Sequence, residues 1–466
     1  MTTRDSQIQV SVPSEHIEGQ ESSAPFSIWR ILRLSTFQIG SAMGDILMGG
    51  IWNRIMIADF GIPAWPVTFL VAFRYLLAPV TLWVGHRSDT QKFLGYFRTS
   101  YIWLGRGMMV LSFPILGAST VMLEDNTTSP VGWLTAGLCF LLYGFGTLFS
   151  GSPYLALVRD SAPKEKQGIA IGIVETVLII LFPVVAIGFG RMLKTYDTAL
   201  FWRLLLFVSL VGGFFWWFGV AGVERANQRQ GIALKPSTRI DLRATMAKIW
   251  NDQNTRRFFA VLFIATFSAW MQEGILEPYG ADLFGMDVEQ TTRLTAWWGT
   301  ATVVVLVIAF LVRRRQPPEE QASATSAGLV VMALGMAILV GSALSGNLTT
   351  FRIGLVIFGG GFGLYSFGGF SLMAAMSPAP DSGAYLGLWT IAVLVSRGVG
   401  TFIGGVFRDL FLAIDLTTGV AYGLIFALSA IGLLIAARLV IGLDAVGFAR
   451  KHDRSDEESP ARFSTM

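Results

Sequence analysis

The chain has 466 residues, of which 53% are hydrophobic and 14% charged, and its formal net charge is +4. Soluble domains carry about a quarter charged residues, so this composition excludes an ordinary soluble globular protein and indicates an integral membrane protein. Cys139 is the single cysteine, which excludes a disulfide within the chain, and the small positive charge follows from membrane topology and indicates no nucleic-acid partner.

Twelve apolar stretches follow one another along the chain, each about 20 residues long, the length that a helix needs to cross the hydrocarbon of a bilayer. We name them span 1 to span 12: 33–58, 65–85, 99–122, 131–153, 167–190, 199–221, 257–281, 291–312, 326–345, 351–375, 383–407 and 417–441. The sequence therefore predicts an all-α integral membrane protein with twelve transmembrane helices. Residues 1–30 and 444–466 are predicted to be polar tails on one side of the membrane.

Basic residues indicate which side that is. Residues 224–256 are rich in arginine and lysine and are predicted to be a cytoplasmic linker, so both termini are expected in the cytoplasm. Within it, 239–250 has apolar residues at helical spacing and is predicted to be a surface helix on the headgroups. Arg191 and Lys194 follow span 5 on the side predicted to be outside, against the positive-inside rule.

The linker divides two similar halves, 31–223 and 257–443, which we expect to be six-helix bundles. Gly168-x-x-x-Gly172 opens span 5 and Gly383-x-x-x-Gly387 opens span 11. Spans 1 and 7 are followed by Asp59-Phe60-Gly61 and Asp282-Leu283-Phe284-Gly285. Recurring motifs at corresponding positions indicate an internal repeat.

A basic connection between spans 2 and 3 carries Gly85-His86-Arg87-Ser88-Asp89, followed by Gly95 and Arg98. It resembles the loop motif of the major facilitator superfamily, although Thr90 and Tyr96-Phe97 replace basic residues of the full pattern. The resemblance implies that Gly85 allows close helix approach, that Asp89 caps a helix of the opposite half, and that Asp89, Arg98 and Asp160 form a cytoplasmic gate network. The alternative is a set of solvated loop charges.

Polar side chains at membrane depth are candidates for function, because burying them in hydrocarbon is costly. Those that we predict to line a cavity or bind a ligand are Asp45, Asn53, Arg54, Gln272, Glu273, Glu277 and Arg397; Arg74, Arg106 and Glu175 are further charged residues in spans. Each could instead snorkel to the interface or hold two helices together. Arg54 and Glu277 occupy matching positions in the two halves, and we hypothesise that they pair at the outer mouth.

Spans 10 and 11 are rich in glycine, including Gly359-Gly360-Gly361 and Gly404-Gly405. Close packing between helices is the favoured explanation, with a ligand groove or flexibility during alternating access as the alternatives.

Three further motifs resemble the PucC family, a bacteriochlorophyll-associated branch of the facilitator superfamily: Asn53-Arg54-Ile55-Met56-Ile57, Gly95-Tyr96-Phe97-Arg98-Thr99-Ser100-Tyr101 and Tyr385-Leu386-Gly387-Leu388-Trp389. The resemblance implies an assembly factor for light-harvesting antenna complexes in the photosynthetic inner membrane of a bacterium. Its expected partners are lipid, antenna polypeptides and either a reaction centre or a pigment synthase. Its expected cofactor is transiently bound bacteriochlorophyll or chlorophyll.

Pigment synthesis itself is not expected, and neither a catalytic residue nor a resident metal is predicted. Prenyl transfer needs paired aspartates that hold magnesium and diphosphate, and no span contains such a pair. The histidines His16, His86 and His452 lie outside the predicted spans, so a chlorin magnesium would take an oxygen ligand. The candidates are Asp45, Asn53, Gln272, Glu273, a backbone carbonyl and water; the alternative is that no pigment binds. The alternative function is a proton-coupled secondary transporter of a solute or pigment precursor.

Overall fold

The computed structural model describes residues 26–163, 166–229, 247, 250–377 and 382–448. In these ranges every regular element is a helix, and the only strand-like contact is a single β-bridge between Phe93 and Tyr96. The all-α fold class is therefore confirmed. Most of the predicted tails, the linker centre at 230–246 and nearly all of the predicted surface helix 239–250 lie outside the described residues.

Ten of the predicted spans are helices, or helix pairs, long and apolar enough to cross a membrane, which establishes a multi-pass membrane protein. Their helical segments are Ala64–Leu76 with Pro79–Thr90, Thr99–Asp125, Pro130–Asp160, Gln167–Met192, Thr198–Phe207 with Gly213–Val220, Val288–Arg313, Ala322–Ser345, Leu348–Ala375, Ser382–Ala413 and Thr418–Ile441. Short helices also occur at Val223–Arg229 and Pro318–Gln321. The total of twelve stays a prediction, since spans 1 and 7 are both interrupted.

Span 1 is not the continuous helix that its apolar pattern predicts. It begins earlier, at Ile28–Ser35 and Phe37–Asp45, and then passes through two π-helical turns, Ile46–Ile51 and Ile55–Asp59, on either side of Trp52–Arg54. The first π turn contains a glycine pair, which weakens a regular helix. Such wide turns are frequently found at functional sites.

Span 7, the first span of the chain's second half, is interrupted near its own middle. Gln253–Trp270 ends, residues 271–275 form turns, and Leu276–Phe284 resumes the span. Gly274 lies in the interruption and Pro278 lies just after it. Proline lacks an N–H group and its ring clashes with the carbonyl four residues earlier, so a straight helix through this point is disfavoured.

Spans 1 and 7 end in the same way, as the repeated motifs predict. Gly61 and Gly285 have φ angles of 67° and 63°, the left-handed conformation that glycine tolerates. The N–H of the next residue bonds backward six residues in each case, Ile62 to Met56 at 3.0 Å and Met286 to Gly280 at 3.2 Å. In both spans a left-handed glycine ends the helix, so the recurring Asp-to-Gly motif has a common structural role.

Buried apolar side chains form one large cluster in the first half and another in the second, with a smaller cluster beneath spans 7, 10 and 11. The halves meet where span 2 packs on span 11, span 5 on span 8 and span 1 on span 7. Other large apolar side chains remain on the outside, as at Leu134, Leu210 and Val312, where lipid is the natural solvent.

Glycines of span 10 pack against neighbouring helices, in agreement with the favoured interpretation. A Cβ at Gly359 or Gly363 would collide with the backbone of span 8, whereas one at Gly361 or Gly368 would collide with span 9. Only residues without a side chain allow backbones to approach this closely.

Candidate functional site

An ion pair joins spans 1 and 2 at the seam between the halves. Arg74 Nη1 pairs with Asp45 Oδ1, and the Tyr143 hydroxyl donates to the same carboxylate oxygen at 3.0 Å. Arg74 is buried, and its guanidinium also donates to the Tyr75 hydroxyl. The Asp45 charge is thus compensated by one cation and one hydroxyl, which makes its position at membrane depth tolerable.

A second ion pair lies in the other half, between spans 7 and 11. Arg397 Nε donates to Glu273 Oε2 at 3.1 Å and its Nη2 contacts Oε1, so the contact is bidentate. The Thr401 hydroxyl donates to Oε2 at 2.8 Å. The guanidinium carbon lies 3.6 Å from the centroid of the Trp270 ring, a cation–π contact. The structure therefore brings two predicted site residues, Glu273 and Arg397, into direct contact.

Tyr75 connects the two pairs. The guanidinium carbons of Arg74 and Arg397 each lie 4.5 Å from the centroid of its ring. A Cβ at Gly398 would lie 3.0 Å from the Tyr75 Cβ, so this glycine allows span 11 to approach span 2. We call Asp45, Arg74, Tyr75, Glu273 and Arg397 the seam cluster. It holds two anions and two cations at the junction of the halves.

Two predicted amides surround the interruption of span 7. Asn53 Nδ2 donates to the Gly274 carbonyl at 2.8 Å, supplying a partner for backbone that the broken helix leaves unbonded. Asn53 Oδ1 and Gln272 Oε1 are buried and accept no hydrogen bond in the structure. Both amide oxygens therefore retain capacity for a ligand.

Arg54 and Glu277 do not form the hypothesised pair. Arg54 Nη1 pairs with Asp59. Its Nη2 donates to the Met286 carbonyl at 3.1 Å, which joins span 1 to the connection between spans 7 and 8. Glu277 Oε1 accepts from Thr295 at 3.4 Å, while Oε2 has no partner. The matched positions in the repeat placed both residues correctly at the end predicted to face outward, but Arg54 pairs with Asp59, which lies on the same span at the end of the second π turn.

A further network at the outer end was not predicted. Arg408 contacts Asp282 at 2.7 Å and Asp409 at 3.0 Å, and the Tyr422 hydroxyl bonds both Arg408 and Asp282 at 2.7 Å. Asp409 Oδ2 accepts from the backbone N–H of Trp65 at 2.7 Å, which joins span 11 to the beginning of span 2. The spacing of Arg397 and Arg408 in the sequence could have indicated this network. The two residues are about three helical turns apart, so they share one face of span 11.

The end of the bundle that is predicted to face the cytoplasm, called the inner end, contains part of the predicted gate network. Arg98 pairs with Asp160, and Arg98 is buried. The Asp89 side chain lies outside the described residues, so its contact with the opposite half stays a prediction. The motif from Gly85 to Asp89 was predicted to be a loop, and this prediction is wrong. The motif forms the end of the helix Pro79–Thr90. A Cβ at Gly85 would lie 2.9 Å from Ser152 Oγ, which fits the implied role in close helix approach.

Glu224 lies at the inner end and is buried, although it was predicted to belong to the linker. Its carboxylate accepts from the backbone N–H groups of Phe97 at 2.7 Å, Arg98 at 3.2 Å and Thr99 at 2.8 Å. The Thr99 hydroxyl adds a bond of 2.7 Å. A carboxylate at a helix N-terminus satisfies unpaired donors and opposes the positive end of the helix dipole. Glu224 thereby fastens the end of span 6 to the start of span 3.

Arg106 and Glu175 do not join the seam cluster. Arg106 is buried between Phe37 and Trp216, with its guanidinium carbon 4.4 Å and 4.7 Å from the two ring centroids. Glu175 is half-buried, and no ion pair of the described residues includes it. Both are charges whose compensation is weaker than that of the seam residues.

Comparison with known proteins assigns the chain to a family. A family model described as PUCC protein matches residues 51–447. The chain belongs to the PUCC protein family. Protein PucC of Cereibacter sphaeroides is 30% identical over 424 residues, covering 88% of this chain and 91% of that protein. Protein PucC of Rhodovulum sulfidophilum is 29% identical over 403 residues, covering 84% and 87%. A protein named Bacteriochlorophyll synthase 44.5 kDa chain, from Rhodobacter capsulatus, is 26% identical over 428 residues, covering 90% and 97%.

This PUCC family member has the same fold as solved structures of major facilitator transporters, which confirms the predicted fold class. A bacterial homologue of the iron transporter ferroportin, in an inward-facing state, has a TM-score of 0.64 at 14% identity, covering 90% of this chain and 100% of that chain. A variant of the peptide transporter POT has a TM-score of 0.63 at 14% identity, covering 92% and 97%. Identities this low establish the fold and nothing about substrate.

Proposed function

We propose that this PUCC family member is a non-enzymatic membrane assembly factor for light-harvesting antenna complexes. It accommodates bacteriochlorophyll or chlorophyll as cargo while antenna subunits are inserted and oligomerised. Family membership is the single observation that carries the proposal. The relative named as a bacteriochlorophyll synthase chain supports a connection with pigment, and a pigment synthase or reaction centre is a further proposed partner.

The proposed location is the photosynthetic inner membrane of a bacterium, with both termini in the cytoplasm. Arg30, Arg33, Arg98 and Arg257 lie at the same end of the bundle, and by the positive-inside rule this supports placing that end in the cytoplasm.

The amide oxygens of Asn53 and Gln272 support pigment handling. Both are buried acceptors without a donor, and magnesium accepts oxygen ligands readily. Asp45 and Glu273 are less suitable ligands, because their charges are already paired with Arg74 and Arg397. A pigment could reach the amides only if the halves move apart, which favours transient handling over permanent binding.

The test is purification in mild detergent from a phototrophic host, followed by an absorption spectrum and identification of co-purified proteins. We expect pigment together with small antenna subunits. Gln272→Leu should lower the pigment bound per protein, whereas Gln290→Leu, at an exposed helix cap, should leave it unchanged. Absence of pigment and of antenna subunits from the wild-type preparation would contradict the proposal.

The second candidate is a proton-coupled secondary transporter. The structural neighbours are transporters, and Glu277 is buried with one carboxylate oxygen unpartnered, as a proton-accepting group can be. Solute-dependent proton uptake by the purified protein in proteoliposomes, abolished by Glu277→Gln, would favour this candidate.

A further inference from the structure

A lipid-facing groove lies beside the contact of spans 5 and 8. Its volume is about 690 Å³. Span 8 supplies most of its lining, Ile187 and Arg191 of span 5 form one wall, and Val356 and Gly360 of span 10 form the other. The groove is mostly apolar, and Trp297 and Val304 within it are each about half exposed, at 49% and 50%.

The length of the groove suits one hydrocarbon chain. Along span 8 the lining runs from Arg293 to Val305, a rise of about 18 Å for a helix. Half of the hydrocarbon thickness of a bilayer is about 15 Å. The groove therefore extends from one end of the membrane to about its midplane, the depth that a lipid tail of one leaflet occupies.

Positive charge is concentrated at the outer end of the groove. Arg191 lies in the last turn of the helix Gln167–Met192, Arg293 lies near the start of span 8, and both line the cavity. Arg293 pairs with Glu289, whereas Arg191 is exposed and in no ion pair of the described residues. Lys194 follows closely, and its carbonyl accepts from the Glu289 N–H at 3.2 Å. Arg191 and Lys194 are the charges that violate the positive-inside rule, so an anionic partner would account for them.

We propose that this groove binds an anionic phospholipid of the outer leaflet. The phosphate lies between Arg191 and Arg293, and one acyl chain lies along Ala301 and Val304. Trp297 lies below the headgroup, at the depth where tryptophan is enriched in membrane proteins. A single anionic lipid satisfies the cationic end, the apolar floor and the length of the groove together.

Such a lipid would contact both halves of the protein. Span 5 belongs to the first half and span 8 to the second, and they approach closely where a Cβ at Gly190 would lie 3.2 Å from the Glu289 carbonyl. A lipid that bridges Arg191 and Arg293 would stabilise this closed outer end relative to an arrangement in which the spans separate.

The test is native mass spectrometry of the purified protein with phosphatidylglycerol or phosphatidylcholine of identical acyl chains. We expect tighter binding of phosphatidylglycerol. Arg191→Gln and Arg293→Gln should each weaken it by about fivefold, the effect of one basic residue near an anionic lipid. Arg203→Gln, at an exposed arginine of span 6 outside the groove, is the matched control and should leave the affinity unchanged. Equal binding of the two lipids, or equal losses in all three variants, would overturn the proposal.

Tryptophan quenching locates the lipid even if the arginine variants do not fold. Brominated phosphatidylglycerol, at low mole fraction in phosphatidylcholine, should quench wild-type fluorescence more than that of Trp297→Phe, because bromine quenches only on contact. Brominated phosphatidylcholine at the same fraction should give a smaller difference between the two proteins. No difference between the proteins with brominated phosphatidylglycerol would place the lipid elsewhere and refute the groove.

Discussion

The bidentate contact between Glu273 and Arg397 makes a quantitative prediction about stability. Glu273→Gln keeps the shape of the side chain and one oxygen acceptor but removes the negative charge. Arg397 would then remain between Trp270 and Tyr75 with no anion beside it. A cation left unpaired in a buried site is strongly destabilising.

The magnitude follows from the geometry. At the 3.1 Å separation of Arg397 Nε and Glu273 Oε2, the Coulomb attraction is about 5 kcal/mol for an effective dielectric constant of about 20. The Arg397 side chain is 25% exposed, so water recovers part of this loss, and the new amide keeps one hydrogen bond. We therefore expect the free energy of unfolding to fall by about 3 kcal/mol, the lower end for broken buried pairs.

The measurement is reversible unfolding in mixed micelles with a denaturing detergent. Glu289→Gln is the control, since it removes the same charge from the half-exposed pair with Arg293 and should cost about 0.5 kcal/mol. The double variant Glu273→Gln with Arg397→Gln should lose less than the sum of its single variants, because neither charge is left unpaired. A loss in Glu273→Gln equal to that of the control, or additive losses in the double variant, would refute the reasoning.

Three further predictions concern contacts elsewhere in the bundle. Tyr143→Phe removes the hydroxyl that bonds the span 1 carboxylate at 3.0 Å; unfolding free energy should fall by about 1 kcal/mol, and no change would show that water replaces the hydroxyl. Glu224→Gln should destabilise the N-terminus of span 3 by about 1–2 kcal/mol, which faster hydrogen exchange confined to the amides it caps would reveal; unaltered exchange there would contradict the capping role. Gly404→Ala should cost at least about 1–3 kcal/mol because its methyl group would collide with the Met271 carbonyl. Gly341→Ala, where no atom lies within 4 Å, should be neutral or stabilising, and equal thermal stability of the two variants would disprove the packing argument.

The end of the protein that is predicted to face outward is closed by several independent contacts between the halves. Arg54 reaches the Met286 carbonyl, Asp409 accepts from the Trp65 amide, and Glu289 bonds the Lys194 carbonyl. Any movement that exposes the Asn53 and Gln272 oxygens toward the outer side must break these bonds. Cargo handling and transport both require such a movement, so both proposed functions predict that this closed state exchanges with another.

Some features followed from the sequence alone because they depend on local chemistry. Ten membrane-crossing segments follow from the length of apolar runs, since a helix must satisfy its backbone within the hydrocarbon. The ends at Gly61 and Gly285 follow from the left-handed conformation that glycine permits. The packing of span 10 follows from the small size of its glycines. The motifs at 53–57 and 385–389 also indicated the family.

Other features depended on the tertiary structure because they require two helices to turn particular faces toward each other. Hydropathy does not encode helix rotation, so the sequence could not assign Asp45 to Arg74 or Glu273 to Arg397. The sequence did not indicate the π turns of span 1 or the interruption of span 7, since apolar residues continue through both. The apolar spans of the sequence place these charged residues at membrane depth. Their partners depend on how the helices pack.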